Sequence, residues 1–167
     1  MAVGNFKIKY IGLFNLDELI SEITGWLSAR AYSVKETKFK HKPPKIEIGW
    51  GASRKVTHYV KEKLDIKFYG ENIKEVEVIK GNDKIKMNKG RLIIEITADL
   101  ETGYSDYLDR DHWSSNTFLI KLKDFFNKWI YNKDLALLYE DEVYYDGLHL
   151  SNFIKSKLNM TLDEGEF

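Results

Sequence analysis

Residues 55–69 read KVTHYVKEKLDIKFY, and apolar side chains recur there at every second position. Val60, Leu64 and Ile66 fall on even positions, whereas lysine and aspartate occupy the odd positions between them. Successive side chains of a β-strand point to opposite faces of its sheet, so this alternation predicts a strand with one buried and one wet face. A helix would distribute the same side chains around its whole circumference.

The same alternation continues on both sides of this segment. Residues 46–50 alternate upstream, and residues 73–80 and 92–100 alternate downstream. Gly81-Asn82-Asp83 is typical of a tight turn, because Gly and Asn adopt positive φ at little cost. Asn88-Lys89-Gly90 predicts a second turn or a bulge. Short connections between alternating segments predict an antiparallel meander with one covered face.

Helical patterns before and after the meander would supply that cover. Asn15 is a candidate N-cap with Glu18 three residues later, and apolar residues recur at helical spacing over residues 16–30. Residues 135–158 predict a long C-terminal helix, which Gly147 could bend. A further aromatic stripe predicts a helix lying across the sheet. Its members are Phe118, Leu122, Phe125, Phe126 and Trp129.

The fold class that follows is α+β. It consists of a curved antiparallel β-meander packed by an N-terminal helix and a long C-terminal helical segment, which a break at residues 132–134 would kink. This order of elements resembles the helix-grip arrangement, in which a curved sheet wraps a C-terminal helix; the resemblance implies a fold and no activity. Residues 1–159 are expected to form a single domain and residues 160–167 a short, acidic, flexible tail.

Charge is balanced overall but not along the chain. The protein has 26 basic and 26 acidic side chains, with 19 basic and 13 acidic in residues 1–100 and 7 and 13 in residues 101–167. Solvated faces of opposite sign explain this asymmetry. Alternatively, copies stack by charge complementarity, or a basic sheet face meets an anionic surface. The zero net charge and the acidic last third argue against a nucleic-acid partner.

The composition also narrows the location. There are no cysteines, which excludes disulfides and thiolate metal sites. We find no apolar run long enough for a transmembrane segment and no pattern of a secretion signal. The expected location is therefore cytoplasmic.

Three polar groups are candidates for chemistry. The loop residues Asp106, Asp109, Asp111 and His112 could bind a divalent metal, but their spacing fits no known loop and they could equally serve a helix dipole. Glu142, Asp146 and His149 would share one helical face, which a solvated acidic surface explains as well.

The third group is on the long predicted strand. His58 and Glu62 interrupt its apolar face and are the only buried acid–base candidates, although about 13 Å would separate them along a strand. No motif of a nucleophile, phosphate-binding loop or dinucleotide site is present. We therefore assign no catalytic residue, no metal ligand and no cofactor.

The absence of a catalytic motif, the charge asymmetry and the many aromatic residues favour a non-catalytic binding or assembly module over an enzyme. It would contact a protein partner, or another copy of itself, through a sheet edge or the C-terminal helix. A first alternative is a carrier of a hydrophobic small molecule in a cavity between sheet and helix. The ligand-binding residues would then be Val60, Leu64, Ile66, Phe118, Leu122, Phe125 and Trp129. A second alternative is a metal-assisted hydrolase that uses the loop from Asp106 to His112.

Overall fold

The architecture is a five-stranded antiparallel sheet with helices on one of its faces. A computed structural model describes residues 2–57, 59–102, 117–129 and 134–159. In chain order the elements are β1 (Ala2–Phe14), α1 (Leu16–Ala29), β2 (Ser33–Lys42), β3 (Lys45–Lys55), β4 (Val60–Lys80), β5 (Asp83–Thr102), α2 (Thr117–Trp129) and α3 (Asp134–Lys157).

The strand order across the sheet is β1-β5-β4-β3-β2. Strands β2 to β5 follow one another as a meander, and β1 pairs with the other edge of β5. All four pairings are antiparallel. Ile66 on β4 lies opposite Trp50 on β3 and Ile96 on β5, and all three are buried. The predicted α+β fold with an antiparallel meander is confirmed.

Helices α1 and α3 cover the apolar face of the sheet. Leu19 and Ile23 of α1 and Leu150 and Ile154 of α3 are buried in the same cluster as the strand residues. Asn15 caps α1 as expected, because its Oδ1 accepts the Glu18 amide at 3.2 Å. The opposite face of the sheet carries the alternate, mostly charged side chains, and we call it the open face.

The predicted strand at residues 55–69 is wrong at its beginning. Strand β3 ends at Lys55 and β4 starts at Val60, and the two strands pair with each other as an antiparallel hairpin. The Thr57 hydroxyl accepts the amides of Tyr59 and Val60 at 3.1 and 2.9 Å, which satisfies the turn locally. The alternation of apolar residues does not predict a turn that a side-chain hydroxyl stabilises.

Strands β4 and β5 are longer than the pattern predicted. They pair along almost their whole lengths, and the pairing shifts register only between Glu71 and Lys74. The Ile73 amide there donates to the Pro44 carbonyl at 2.9 Å instead of to the ladder. Asn88-Lys89-Gly90 lies inside β5, so it is not a turn, and the irregularity is on the facing strand. The tight turn at Gly81 is confirmed, with φ of 67°.

Helix α2 forms where the aromatic stripe predicted it, but the stripe is not uniformly buried. Phe118 and Phe125 are exposed, so their expected packing over the sheet is wrong, and Leu122 is half-buried. Helix α3 runs through Gly147 without ending there. The predicted tail at residues 160–167 lies outside the described residues.

Candidate functional site

A polar cluster interrupts the otherwise apolar contact between the sheet and α3. Two members of this cluster, Arg54 on β3 and Glu62 on β4, lie directly opposite each other in the hairpin. Both continue the alternation that places Ala52 and Leu64 in the core, so both side chains lie on the covered face. Glu62 is completely buried, whereas 19% of the Arg54 side chain is exposed.

The Arg54 guanidinium connects three elements. Its Nε and Nη2 donate to Glu62 Oε2 at 2.8 and 2.5 Å. Nη2 also lies 3.0 Å from Asp146 Oδ2 and 3.1 Å from Glu142 Oε1, both on α3. Nη1 donates to the carbonyl of Arg30, the C-cap residue of α1, at 3.2 Å. One cation therefore holds β4, α3 and the end of α1 together.

Tyr32 closes the cluster from the segment between α1 and β2. Its hydroxyl lies 2.8 Å from Asp146 Oδ2 and 3.3 Å from Glu62 Oε2, and the Arg54 guanidinium carbon lies 4.7 Å from the ring centroid. Burial, followed by the hydrogen bond to Asp146, raises the pKa of the Tyr32 hydroxyl far above its usual range. Tyr32 therefore keeps its proton and acts as a donor.

The cluster is electrostatically unbalanced. Three carboxylates surround one guanidinium, which gives a formal charge of −2 if all are ionised. Burial is the largest effect on the pKa of Glu62 and raises it, although Arg54 acts in the opposite direction. Glu62 Oε1 is buried and has no hydrogen-bond partner among the described residues. The arrangement can clamp α3 to the sheet and can hold a proton on Glu62.

Among the clefts that the described residues line, two lie elsewhere on the surface. One has a volume of about 340 Å³ and lies beside the end of β1, α1 and the end of α3; Lys157 and Glu22 form an ion pair at its wall. The other, of about 380 Å³, lies at the β2–β3 turn and is lined by lysines, two prolines and Glu47. Neither cleft is lined by residues of the Arg54 cluster.

The residues predicted to bind a hydrophobic ligand do not line either cleft. Val60, Leu64 and Ile66 are buried in the core beneath α1 and α3. Phe118 and Phe125 are exposed on α2, and Leu122 is half-buried there. The side chain of Trp129 lies outside the described residues. Ligand binding by these residues stays a prediction.

The predicted polar groups are distributed differently from the sequence expectation. Glu62 joins Asp146, which is mostly buried, and Glu142, which is half exposed as a solvated face would require. His149 is exposed and lies beside the Tyr145 ring. His58 and the loop from Asp106 to His112 lie outside the described residues. Within the part of the chain that the structure describes, no group of three His, Asp or Glu side chains could hold a metal ion.

Sequence reasoning missed Arg54 and Tyr32. Arg54 continues the alternation of Ile48, Trp50 and Ala52, so a predicted strand that reached Lys55 would have placed Arg54 on the covered face. The partners of Arg54 could not be predicted from the sequence, because Asp146 is 92 residues away in the chain.

The first half of α3 forms a second notable surface. Leu137 and Leu138 are 63% and 71% exposed, and Tyr144 and Tyr145 are exposed one to two turns later. Asp141 lies between them and is exposed as well. We call these five residues the α3 patch. Residues 134–149 hold five acidic side chains and neither lysine nor arginine. Two of the five, Glu142 and Asp146, bind Arg54, whereas Glu140 and the exposed Asp141 have no cation beside them in the chain, so the patch is apolar with an acidic surround.

Comparison with known proteins gives no match. No protein-family model, no curated protein and no solved structure resembles the chain significantly. Within the described ranges, no helix combines the length and the apolar composition that crossing a membrane requires.

Proposed function

We propose that this protein is a non-catalytic binding module that acts through protein–protein contacts of the α3 patch. The observation that carries the proposal is the high exposure of Leu137 and Leu138 on a helix whose other side is buried in the core. Contiguous exposed apolar surface bounded by polar residues is typical of interaction sites. Tyr144 and Tyr145 add the aromatic residue type that interfaces favour.

The patch is carried by a helix that is held in place from below. Val143, Leu150 and Ile154 anchor α3 in the core, and Arg54 binds Glu142 and Asp146 one and two turns beyond the exposed leucines. A rigid support lowers the entropy lost on binding, since the surface is already ordered. The clamp therefore supports a binding role for the helix above it.

The chemistry of the Arg54 cluster supports the same assignment. Glu62, the carboxyl with the raised pKa, is fully buried and receives both of its strong hydrogen bonds from Arg54. Structural ion-pair networks perturb pKa values just as active sites do. We assign Glu62 to the clamp and not to catalysis.

Matched surface variants test the proposal. Tagged wild-type protein and a Leu137→Ser/Leu138→Ser variant would be purified from cells that also express an untagged copy. Ile79→Ser is the control, because Ile79 on β4 is 72% exposed and lies outside the α3 patch. We expect wild type and the control to retain the same proteins, the untagged copy among them if the chain self-associates, and the double variant to lose them.

The proposal fails if all three proteins retain the same set. It also fails if none retains anything and wild type sediments as a monomer at every concentration. Circular dichroism of each variant establishes that a loss of binding is not a loss of folding.

A further inference from the structure

The open face of the sheet carries a patch that complements the α3 patch. Ile11 on β1 is 79% exposed, and the half-buried Ile93 and Tyr69 lie directly opposite each other on β5 and β4. Ile11 lies opposite Arg91 and therefore diagonal to Ile93, so Ile11, Ile93 and Tyr69 are neighbours on one face and form an apolar strip.

The surroundings of this strip are basic. Three rows of directly opposed residues cross all five strands on the open face, and together they hold six lysines and three acidic residues. The rows are Lys9-Ile93-Tyr69-Glu47-Lys40, Lys7-Glu95-Lys67-Gly49-Lys38 and Asn5-Thr97-Asp65-Gly51-Lys35. Lys7 and Lys38 form ion pairs with Glu95 and Glu47. Within the described residues, Lys9 and Lys67 form no ion pair. We call Ile11, Tyr69, Ile93, Lys9 and Lys67 the open-face patch.

We propose that the α3 patch of one copy docks on the open-face patch of a second copy. This inference rests on the proposed function, because it names the partner of the same surface. Both patches have an apolar centre, and their surroundings are of opposite sign, acidic on α3 and lysine-rich on the sheet. Charge complementarity of this kind steers association and fixes orientation.

Pairing of copies along a sheet edge is less favourable. The two edge strands are β1, with Lys7 and Lys9, and β2, whose ten residues include four lysines, one of which is Lys38. Strand addition between copies would bring these like charges together. Strand β2 also shifts register between Glu36 and Lys38, which disturbs the hydrogen-bonding edge.

The proposed contact is heterologous, since the two patches lie on opposite faces of the sheet. Each copy that docks through α3 still presents its own open face to a further copy. Association therefore continues beyond the dimer, either into a ring or into an open filament. The apolar centres contribute most of the affinity and the charged surroundings make it sensitive to salt.

Complementation between two variants tests this arrangement. Leu138→Lys disables the α3 patch and Ile11→Glu disables the open-face patch; both positions are exposed, so the core is unchanged. Wild type is expected to gain mass with concentration by sedimentation velocity, and less so at high salt. Each variant alone should associate at least about tenfold more weakly, because a charge then enters an apolar contact. A mixture of the two variants should form a 1:1 complex, because one intact interface remains between them.

Ile79→Glu is the matched control and should associate like wild type. The inference is overturned if wild type is monomeric throughout, or if Ile11→Glu associates as wild type does. A mixture of variants that stays monomeric also overturns it. A monomeric wild type that captures a different protein through Leu137 and Leu138 would remove the second copy as partner but leave the proposed function intact.

Discussion

Arg54 and Glu62 face each other across the β3–β4 hairpin, and the guanidinium donates twice to one carboxylate oxygen. The pair lies where α3 crosses the sheet, and Asp146 and Glu142 receive the remaining hydrogen of the same Nη2 group. A buried charge pair of this kind need not add much stability, but removing one member leaves the other uncompensated. The pair therefore fixes which way α3 lies more than it raises the free energy of unfolding.

Arg54→Met should strongly destabilise the protein. The substitution leaves Glu62 buried without its cation and removes the link to Asp146. Breaking a buried pair from one side costs about 3 kcal/mol or more. Urea unfolding at neutral pH measures this loss in the free energy of unfolding.

The double variant Arg54→Met/Glu62→Leu is the informative comparison. It removes both buried charges, so its loss of stability should be smaller than that of Arg54→Met alone. Lys38→Met removes a cation from an exposed ion pair with Glu47 and should cost much less. A double variant that is less stable than Arg54→Met would show that the uncompensated charge is not the cause.

Glu62→Gln should change how stability depends on pH. The pKa of Glu62 is raised in the folded protein above its ordinary value of 4.5, because burial disfavours the carboxylate. The folded state thus binds the proton more tightly than the unfolded chain, and the resulting stabilisation is present below 4.5 and lost as pH rises through the folded pKa. Wild type should therefore gain stability relative to Glu62→Gln as pH falls from neutral, measured by urea unfolding across a pH series.

Glu47→Gln supplies a control of opposite sign. The hydrogen bond from Lys38 lowers the pKa of Glu47, so its stabilisation is present above the ordinary carboxyl pKa and is lost as pH falls. Relative to this variant, wild type should lose stability on acidification. If both comparisons change in the same direction with pH, the assignment of the raised pKa to Glu62 is incorrect.

Tyr32→Phe should destabilise the cluster while preserving the ring. The single hydroxyl hydrogen lies between Asp146 Oδ2 at 2.8 Å and Glu62 Oε2 at 3.3 Å, and a hydrogen bond to a charged group contributes about 2 kcal/mol. Tyr10→Phe removes an exposed bond to the Leu13 carbonyl and should cost about 0.5 kcal/mol. Equal losses for the two variants in thermal or urea unfolding would contradict a special role for the buried hydroxyl.

Alternation was sufficient to predict which strand residues face the core. Val60, Leu64 and Ile66 are buried as the pattern predicts, because every second side chain of a strand points to the same face of the sheet. The pattern could not predict the turn at Thr57, which depends on a side-chain hydroxyl and sets the register that brings Arg54 opposite Glu62. Register is decided by such turns and not by the apolar residues alone.

For the amphipathic helix α2, the sequence predicted the element correctly but not the exposure of its apolar side chains. The spacing of Phe118 and Phe125 correctly indicated α2, yet both side chains are exposed. Periodicity shows that a helix has an apolar side but does not show what covers it. The link from α3 to Arg54 was beyond reach for a similar reason, because its partners come from distant parts of the chain and meet only after the core has formed.

Gly147→Ala should destabilise the protein, although alanine is the better helix former. A Cβ at Gly147 would lie 2.6 Å from Phe6 Cε2 and 3.3 Å from the Cβ of Ala98, so α3 depends on this glycine to approach β1 and β5. Overpacking of this kind costs about 2 kcal/mol, more than the ~1 kcal/mol gained in helix propensity. At Gly25 on α1 a Cβ would meet nothing within 4 Å, so Gly25→Ala should stabilise the protein by about 0.5–1 kcal/mol.

Phe6→Leu distinguishes the contact from a general effect at Gly147. Leucine lacks the ring atom nearest to the new methyl group, so Gly147→Ala should cost less in a Phe6→Leu background than in wild type. Urea unfolding of the four proteins in this double-mutant cycle measures the coupling. A coupling energy of zero would mean that the close approach of α3 to β1 does not explain the glycine.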